Sequence, residues 1–490
     1  MSPTSTAIAD WIEAAIKQDE IDRYLDHGDD FIRDDEIERM IRQSRNPDAQ
    51  RIRDILAKAR ALKRLDPHET AALLNIEDEA LWEEVFATGR DIKAHVYGPR
   101  IVTFAPLYCS SLCVNSCIYC AFRCENREET RRRLTLDDVR RETEALVSMG
   151  HKRLICVYGE HPDSDARYIA DTMRVMYDTK VGNGEIRRVN INAAPMCIDD
   201  FRMLREIGIG TYQVFQETYH HETYRRVHPR GIKANYRWRL YALHRAQEAG
   251  IDDVAIGALF GLYDWRFEVM GLLHHAIDLE EKFGGVGPHT ISFPRLEPAA
   301  NTPFTERSPH LVSDRDFKRL VAVLRVSVPY TGMIITARER PEVRMDVLNV
   351  GCTQTDASTR IGVGAYSEGT AEQEGEKQQF MLGDTRELDD VIRELAHMGY
   401  LTSFCTAGYR CGRTGSYFMN IAKKGKTHLF CIPNAILTFK EYLLDYASEE
   451  TRRVGEQLIE QRIQDVPEEI RPTLRERLKA TENGERDLAF

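Results

Sequence analysis

Short apolar runs alternate with amphipathic stretches through the middle of the chain. Ile101-Val-Thr-Phe-Ala105, Leu154–Tyr158, Arg188–Asn192, Thr211–Phe215, Val254–Leu259, His289–Phe293 and Met333–Thr336 each have the length and β-branched content of a strand, and a weaker eighth lies between Cys352 and Val363. Helical periodicity fills most of the gaps, as in Trp265–Lys282 and Asp314–Val326. A succession of βα units predicts an α/β protein with a parallel (β/α)8 barrel of the TIM type. Thr135 followed by Asp138 predicts a capped helix running to about Met149.

The flanks follow another pattern. Residues 1–98 are charged and helical, with Ile52, Ile55, Leu56, Ala59 and Leu62 on one face and Trp82, Val85 and Phe86 on another. Their simplest role is a helical cap on the barrel. After about Ala371 the composition shifts through a polar run, Glu372–Gln379, to a helix near Leu388–Met398, a Gly-rich cysteine loop and a helical, charged tail. The expected partition is 1–98 helical, 99–370 barrel and 371–490 a mainly helical C-terminal domain.

At 490 residues the chain is long enough for a barrel with flanking domains, and 42% hydrophobic against 30% charged residues is ordinary for a globular protein. A net charge of -11 argues against a nucleic-acid or anionic-membrane partner, both of which need a basic footprint. No leader pattern and no long apolar run is present, so a cytoplasmic protein is expected. Eleven cysteines then point to metal ligands and buried thiols rather than disulfides.

The chemistry concentrates in Cys113-Val-Asn-Ser-Cys117-Ile-Tyr-Cys120. Three thiols at this spacing can wrap one iron-sulfur cube and leave its fourth iron without a protein ligand. A structural zinc site would more often show two Cys pairs, which Cys109 and Cys124 do not complete. The barrel rule places active residues at the carboxyl ends of strands, which selects Gly159 and Glu160, Glu217, Arg295, and Arg338 with Arg340. The arginines are candidates to grip a carboxylate bidentately.

The cysteine loop resembles the C-x3-C-x-aromatic-C loop of the radical S-adenosylmethionine (radical SAM) enzymes. That resemblance implies a 4Fe-4S cluster on Cys113, Cys117 and Cys120, with SAM on its open iron and Tyr119 against the adenine. It also implies that Gly159 and Glu160 meet the SAM amino group and Glu217 its ribose. Such a cluster is oxygen-labile, so anaerobic life is implied, with a low-potential electron donor.

Further stretches narrow the resemblance. Phe215-Gln-Glu-Thr-Tyr-His220, Leu259-Phe-Gly-Leu-Tyr-Asp264, Gly287-Pro-His-Thr-Ile-Ser292 and Pro433–Phe439 are similar to the HydG family, radical SAM tyrosine lyases of FeFe-hydrogenase maturation. The likeness runs from about Ala49 to Arg453. It implies cleavage of L-tyrosine to p-cresol and dehydroglycine, then carbon monoxide and cyanide formed at a second iron-sulfur cluster with a labile iron. Other hydrogenase maturation proteins are the implied partners.

Here the chain departs from the family. The C-terminal pattern is C-x2-C-x22-C, and this chain has Cys405, Gly408 and Cys431, with Cys411 left to substitute if the loop re-threads. A zinc site with His428 competes for these thiols. His275 and His289 are the candidates for the labile-iron histidine. Two alternatives stay open: a lyase like 2-iminoacetate synthase (ThiH) with an altered or absent second cluster, and a non-catalytic iron-sulfur scaffold.

Overall fold

The structure, a computed structural model, describes residues 5–369 and 373–490. The expected boundary between residues 370 and 371, and Glu372 at the start of the polar run, lie outside the described residues.

Eight parallel strands close a barrel: β1 (Arg100–Ser110), β2 (Arg153–Tyr158), β3 (Arg188–Asn192), β4 (Tyr212–Gln213), β5 (Val254–Gly257), β6 (Thr290–Ser292), β7 (Gly332–Ile335) and β8 (Gln354–Asp356). Closure comes from β8 pairing with β1, in the register Val102 to Gln354 and Phe104 to Asp356. A ninth strand, β9 (Leu401–Ser403), pairs in parallel with Arg100–Val102. The first turn of β1 therefore ties the barrel to the C-terminal domain.

Two strands differ from their expected lengths for local reasons. The sequence pattern marks the first strand over Ile101–Ala105. Instead β1 runs eleven residues, all buried, with Pro106 in register with Ile155. Strand four was expected over Thr211–Phe215, yet only Tyr212–Gln213 is ladder-paired. Arg239 Nε takes the Phe215 carbonyl at 2.6 Å and interrupts the ladder there; the chain rejoins it at Glu217, at a φ of 70°, which bridges Ala258 in parallel.

The helix Leu136–Ser148 starts with the expected reciprocal cap between Thr135 and Asp138. Helices Ala49–Arg60 and Glu79–Tyr97 bury Ile52, Ile55, Leu56 and Ala59, and Trp82, Val85 and Phe86, respectively. Glu79–Tyr97 packs against Asp314–Ser327, on the outer helical layer. The first helix, Ser5–Ala15, reaches the barrel rim, where Trp11 and Ala15 line a cavity with Glu160. One apolar core runs from Ile21 to Leu478, so the three regions share a packed interior. Among the described residues no helix is long and apolar enough to cross a membrane.

Candidate functional site

A cavity of about 160 Å³ opens at the carboxyl ends of the strands, and Cys113, Cys117 and Cys120 share its wall. The loop that carries them is braced from both sides. Val114 N donates to the Glu160 carbonyl at 2.9 Å, while Ser116 N and Ile118 N donate to the carbonyls of Arg230 and Val227 at 3.2 and 3.1 Å. Gly159 is where the end of β2 meets the loop backbone, since a Cβ there would stand 2.1 Å from the Leu112 carbonyl oxygen. Only glycine allows that approach.

The three thiols are free of disulfides. Burial pushes Cys113 up to about 11 and raises Cys117 and Cys120 as well. Thiols in this state become ligands when a metal group supplies the compensating charge. No three Cys, His, Asp or Glu side chains converge on a single-ion site among the described residues. Sulfurs spread around one cavity fit an iron-sulfur cube better than a zinc ion, whose bonds of ~2.3 Å draw its ligands together.

Around the thiols stand the groups that could hold SAM. Asn115 Nδ2 donates to Glu160 Oε2 at 2.6 Å, and Asn115 Oδ1 accepts from Lys233 N at 2.9 Å. Burial raises Glu160 above the usual carboxylate range, against the opposing charge of Arg239. Burial acts on Glu217 in the same sense, but Lys233 (2.7 Å) and Arg239 (3.2 Å) outweigh it and hold the carboxyl below that range. Tyr119 OH lies 2.7 Å from His228 Nε2, which fixes its ring on the cavity wall.

Of the three candidate arginines, only Arg338 lines this cavity. Its guanidinium lies over the Phe380 ring, 3.3 Å from the centroid. Among the described residues no group makes a hydrogen bond or ion pair with it. Arg295 is instead held by Glu339 and by Asp314, the latter at 2.9 Å. Arg340 is 65% exposed and pairs with Asp314 at 2.8 Å. Both are committed to acids of the chain and do not line the cavity.

A second cavity, of about 50 Å³, lies at the opposite end of the barrel and is lined by Arg100, His289, Cys405, Gly408 and Cys431. His289 precedes β6 and Arg100 begins β1, so the amino ends of strands form its roof. His289 Nδ1 is buried without a hydrogen bond, 3.5 Å from Asp253. Burial would raise the Cys405 thiol, but Arg100, Arg188 and Arg153 outweigh it and lower it, whereas burial leaves Cys431 raised.

The other candidates for this site lie elsewhere. His275 is a core histidine, its Nδ1 2.9 Å from Tyr219 OH and its ring stacked on His244. Cys411 is exposed and outside the cavity. His428 is likewise absent from the cavity lining.

The sequence model of the Radical SAM superfamily matches residues 107–270, and that of the Biotin and Thiamin Synthesis associated domain matches residues 292–401. A crystal structure of HydG, a maturase of the FeFe-hydrogenase, is 49% identical, covers 94% of this chain and 100% of its own, and superposes with a TM-score of 0.90. The chain belongs to the HydG family of radical SAM enzymes. HydG from Carboxydothermus hydrogenoformans is 37% identical over 94% of this chain and 99% of its own, with a TM-score of 0.78. The 2-iminoacetate synthase of Escherichia coli (strain K12) is 28% identical over 342 residues, 67% of this chain and 84% of that one.

As a HydG-family chain it is an enzyme, so the scaffold alternative falls away. Sequence reasoning missed Asn115, Lys233, Arg239 and Arg100, although all four line one or other of the two cavities. Asn115 lies inside the cysteine motif and was available as a signal. Nothing local marks the other three, which reach their cavities only through the barrel's closure.

Proposed function

We propose that this chain is a radical SAM lyase that cleaves the Cα–Cβ bond of L-tyrosine, releasing p-cresol and dehydroglycine. The observation that carries the reading is Arg338, a half-buried guanidinium that lies over the Phe380 ring and has no hydrogen-bond or ion-pair partner among the described residues, in the cavity that holds the three thiols. A tyrosine carboxylate would complete its fork bidentately. Glu297 shares the cavity, and burial pushes it up to about 7, so the substrate ammonium would supply its missing counter-charge.

Cys113, Cys117 and Cys120 would hold the 4Fe-4S cluster, and Glu160, Glu217 and Tyr119 would hold SAM beside it. When bound, this pair supplies a primary carbon radical on reduction by a low-potential donor. The protein's part is placement. Such a radical takes whatever hydrogen is near, so Arg338 and Glu297 must hold the tyrosine at near-attack distance. Tyr108, Phe122 and Leu259 line the same space and exclude water from it.

The dehydroglycine would go on to carbon monoxide and cyanide at an iron-sulfur group in the second cavity, held by Cys405 and Cys431 with His289 facing a labile iron. Hydrogenase maturation proteins would be the recipients. A second reading, in which the reaction ends at dehydroglycine as in a ThiH-like enzyme, is favoured by one observation, the Gly408 that stands in place of the family's middle thiol.

The test is anaerobic reconstitution and turnover with SAM, dithionite and L-tyrosine, with p-cresol and carbon monoxide assayed in one vial. Both products are expected. p-Cresol alone would select the second reading, and neither product would remove tyrosine as the substrate.

A further inference from the structure

A third cavity, of about 260 Å³, borders the wall that carries Glu160. Tyr158, Gly159, Glu160, Ala193 and Ala194 line both this space and the thiol-bearing one, so the two meet at the carboxyl ends of β2 and β3. Trp11, Ala14, Ala15 and Lys17, from the helix Ser5–Ala15 and the turn that follows it, complete the lining. Glu160, only 7% exposed, thus belongs at once to the reaction space and to a cavity that an N-terminal helix helps to enclose.

That helix is attached unevenly. Ile8, Trp11, Ile12, Ala15 and Ile16 recur at helical spacing and pack against the core. Among the described residues no side chain from Ile8 to Lys17 makes a hydrogen bond or ion pair. Polar anchoring starts at Glu20, whose Oε2 accepts from Ile198 N at 3.0 Å, and at Arg23, which pairs with Glu248. Glu20 N donates to the Lys17 carbonyl at 3.1 Å, so one turn joins the loose part to the anchored one. A helix of 11 residues does not persist alone in water, and leaving the barrel would unwind it.

Glu160 couples the seat of the helix to the occupancy of the site. Its side-chain hydrogen-bond donor among the described residues is the neutral Asn115 amide, at 2.6 Å. With the helix seated the carboxylate is kept from water, which costs free energy while no ligand cation faces it. An ammonium group supplies that charge, and the exclusion of water in turn strengthens the pair. A ligand that favours the seated helix is favoured by it to the same extent.

We propose that the helix Ser5–Ala15 is a lid over the methionine end of SAM, with Trp11 as the side chain that keeps water from Glu160. The lid swings about the turn after Lys17 to admit SAM and to let methionine out, and it seats when SAM is bound. Trp11 acts through Glu160 and touches no reacting atom, so it is a positioning residue. This rests on the reading that Glu160 meets the SAM amino group.

The experiment uses the full-length chain, reconstituted anaerobically, with SAM but without reductant or tyrosine. Amide hydrogen exchange, read by mass spectrometry, is expected to slow about 10-fold or more over Ala7–Ile16 when SAM is added. The Gly159–Glu160 loop is expected to slow with it, and the helix Asp314–Ser327 to stay unchanged. A chase of radiolabelled SAM is expected to show dissociation about 10-fold faster from Trp11→Ala, and close to the wild-type rate from Trp11→Phe. Slowing at the Gly159–Glu160 loop without slowing over Ala7–Ile16 would overturn the lid and leave SAM beside Glu160. Slowing at neither would remove the SAM assignment and the lid with it. A Trp11→Ala dissociation rate equal to that of the wild type would also overturn the proposal. None of these readings involves tyrosine, so their failure and failure of the lyase reading are separate results.

Discussion

Asn115 Nδ2 donates to Glu160 Oε2 at 2.6 Å, tying the centre of the cysteine loop to the end of β2. The same amide approaches Cys113 Sγ at 3.6 Å. One side chain thus sets the spacing between the proposed cluster ligands and the carboxylate proposed to meet the SAM amino group. A hydrogen bond to a charged group contributes about 1.5–3 kcal/mol. Asn115→Ala is expected to weaken SAM binding by about 10- to 100-fold at unchanged iron content. Anaerobic SAM titration followed by the cluster spectrum measures it, and an unaltered affinity would contradict the assignment.

Gly159→Ala tests the contact beneath that pair. Its new Cβ would stand 2.1 Å from the Leu112 carbonyl oxygen, a backbone atom that cannot swing aside. The expected result is a loss of about 1–3 kcal/mol in stability with a fall in iron loading, read by thermal melting and iron assay. Full loading and a wild-type melting temperature would show that the loop is not packed as described.

The arginines separate cleanly by environment. Arg338→Gln is expected to raise the KM for tyrosine about 10- to 100-fold, with SAM affinity little changed. Arg340→Gln, at an exposed pair with Asp314, is expected to leave KM where it was, because such pairs are worth about 0–1 kcal/mol. Steady-state kinetics of the two variants side by side decides the matter. Equal effects would remove Arg338 from substrate binding.

Much of the barrel was legible because buried parallel strands read as compact apolar runs, and seven of the eight could be placed from that signal. What was not legible came from long-range pairing. Nothing in the apolar run Ile101–Ala105 announces that β1 continues through Pro106 opposite Ile155, and nothing near Phe215 announces that Arg239 takes its carbonyl and interrupts strand four. The cluster loop was readable from spacing alone. Choosing Arg338 over Arg295 needed the partners Glu339 and Asp314, which come from elsewhere in the chain. His289 and His275 were likewise equivalent on paper; His289 lines the second cavity, whereas His275 is packed in the helix Trp265–Lys282 against Tyr219 and His244.

The N-terminal region offers a pH test. His221 lies 2.9 Å from Asp34 and 3.3 Å from Asp30. Burial lowers it, but hydrogen bonds to these two acids outweigh burial and push it up to about 9 from an ordinary value of 6.5. A group raised in the folded state stabilises fully below its unfolded value, and that contribution is lost as pH rises through the folded one. The melting temperature is therefore expected to fall between about pH 6.5 and 9. His221→Gln should melt lower at pH 6 and show a flatter profile across that window. Parallel profiles for the two proteins would count against the pair.

The central claim is that one cavity joins SAM cleavage to tyrosine through Arg338. The most direct measurement is 5′-deoxyadenosine and p-cresol together, from anaerobically reconstituted enzyme with SAM and dithionite, with and without L-tyrosine. The account predicts that both products accumulate in step and that p-cresol depends on tyrosine and on Cys113, Cys117 and Cys120. Abundant 5′-deoxyadenosine without p-cresol, at saturating tyrosine, would contradict it.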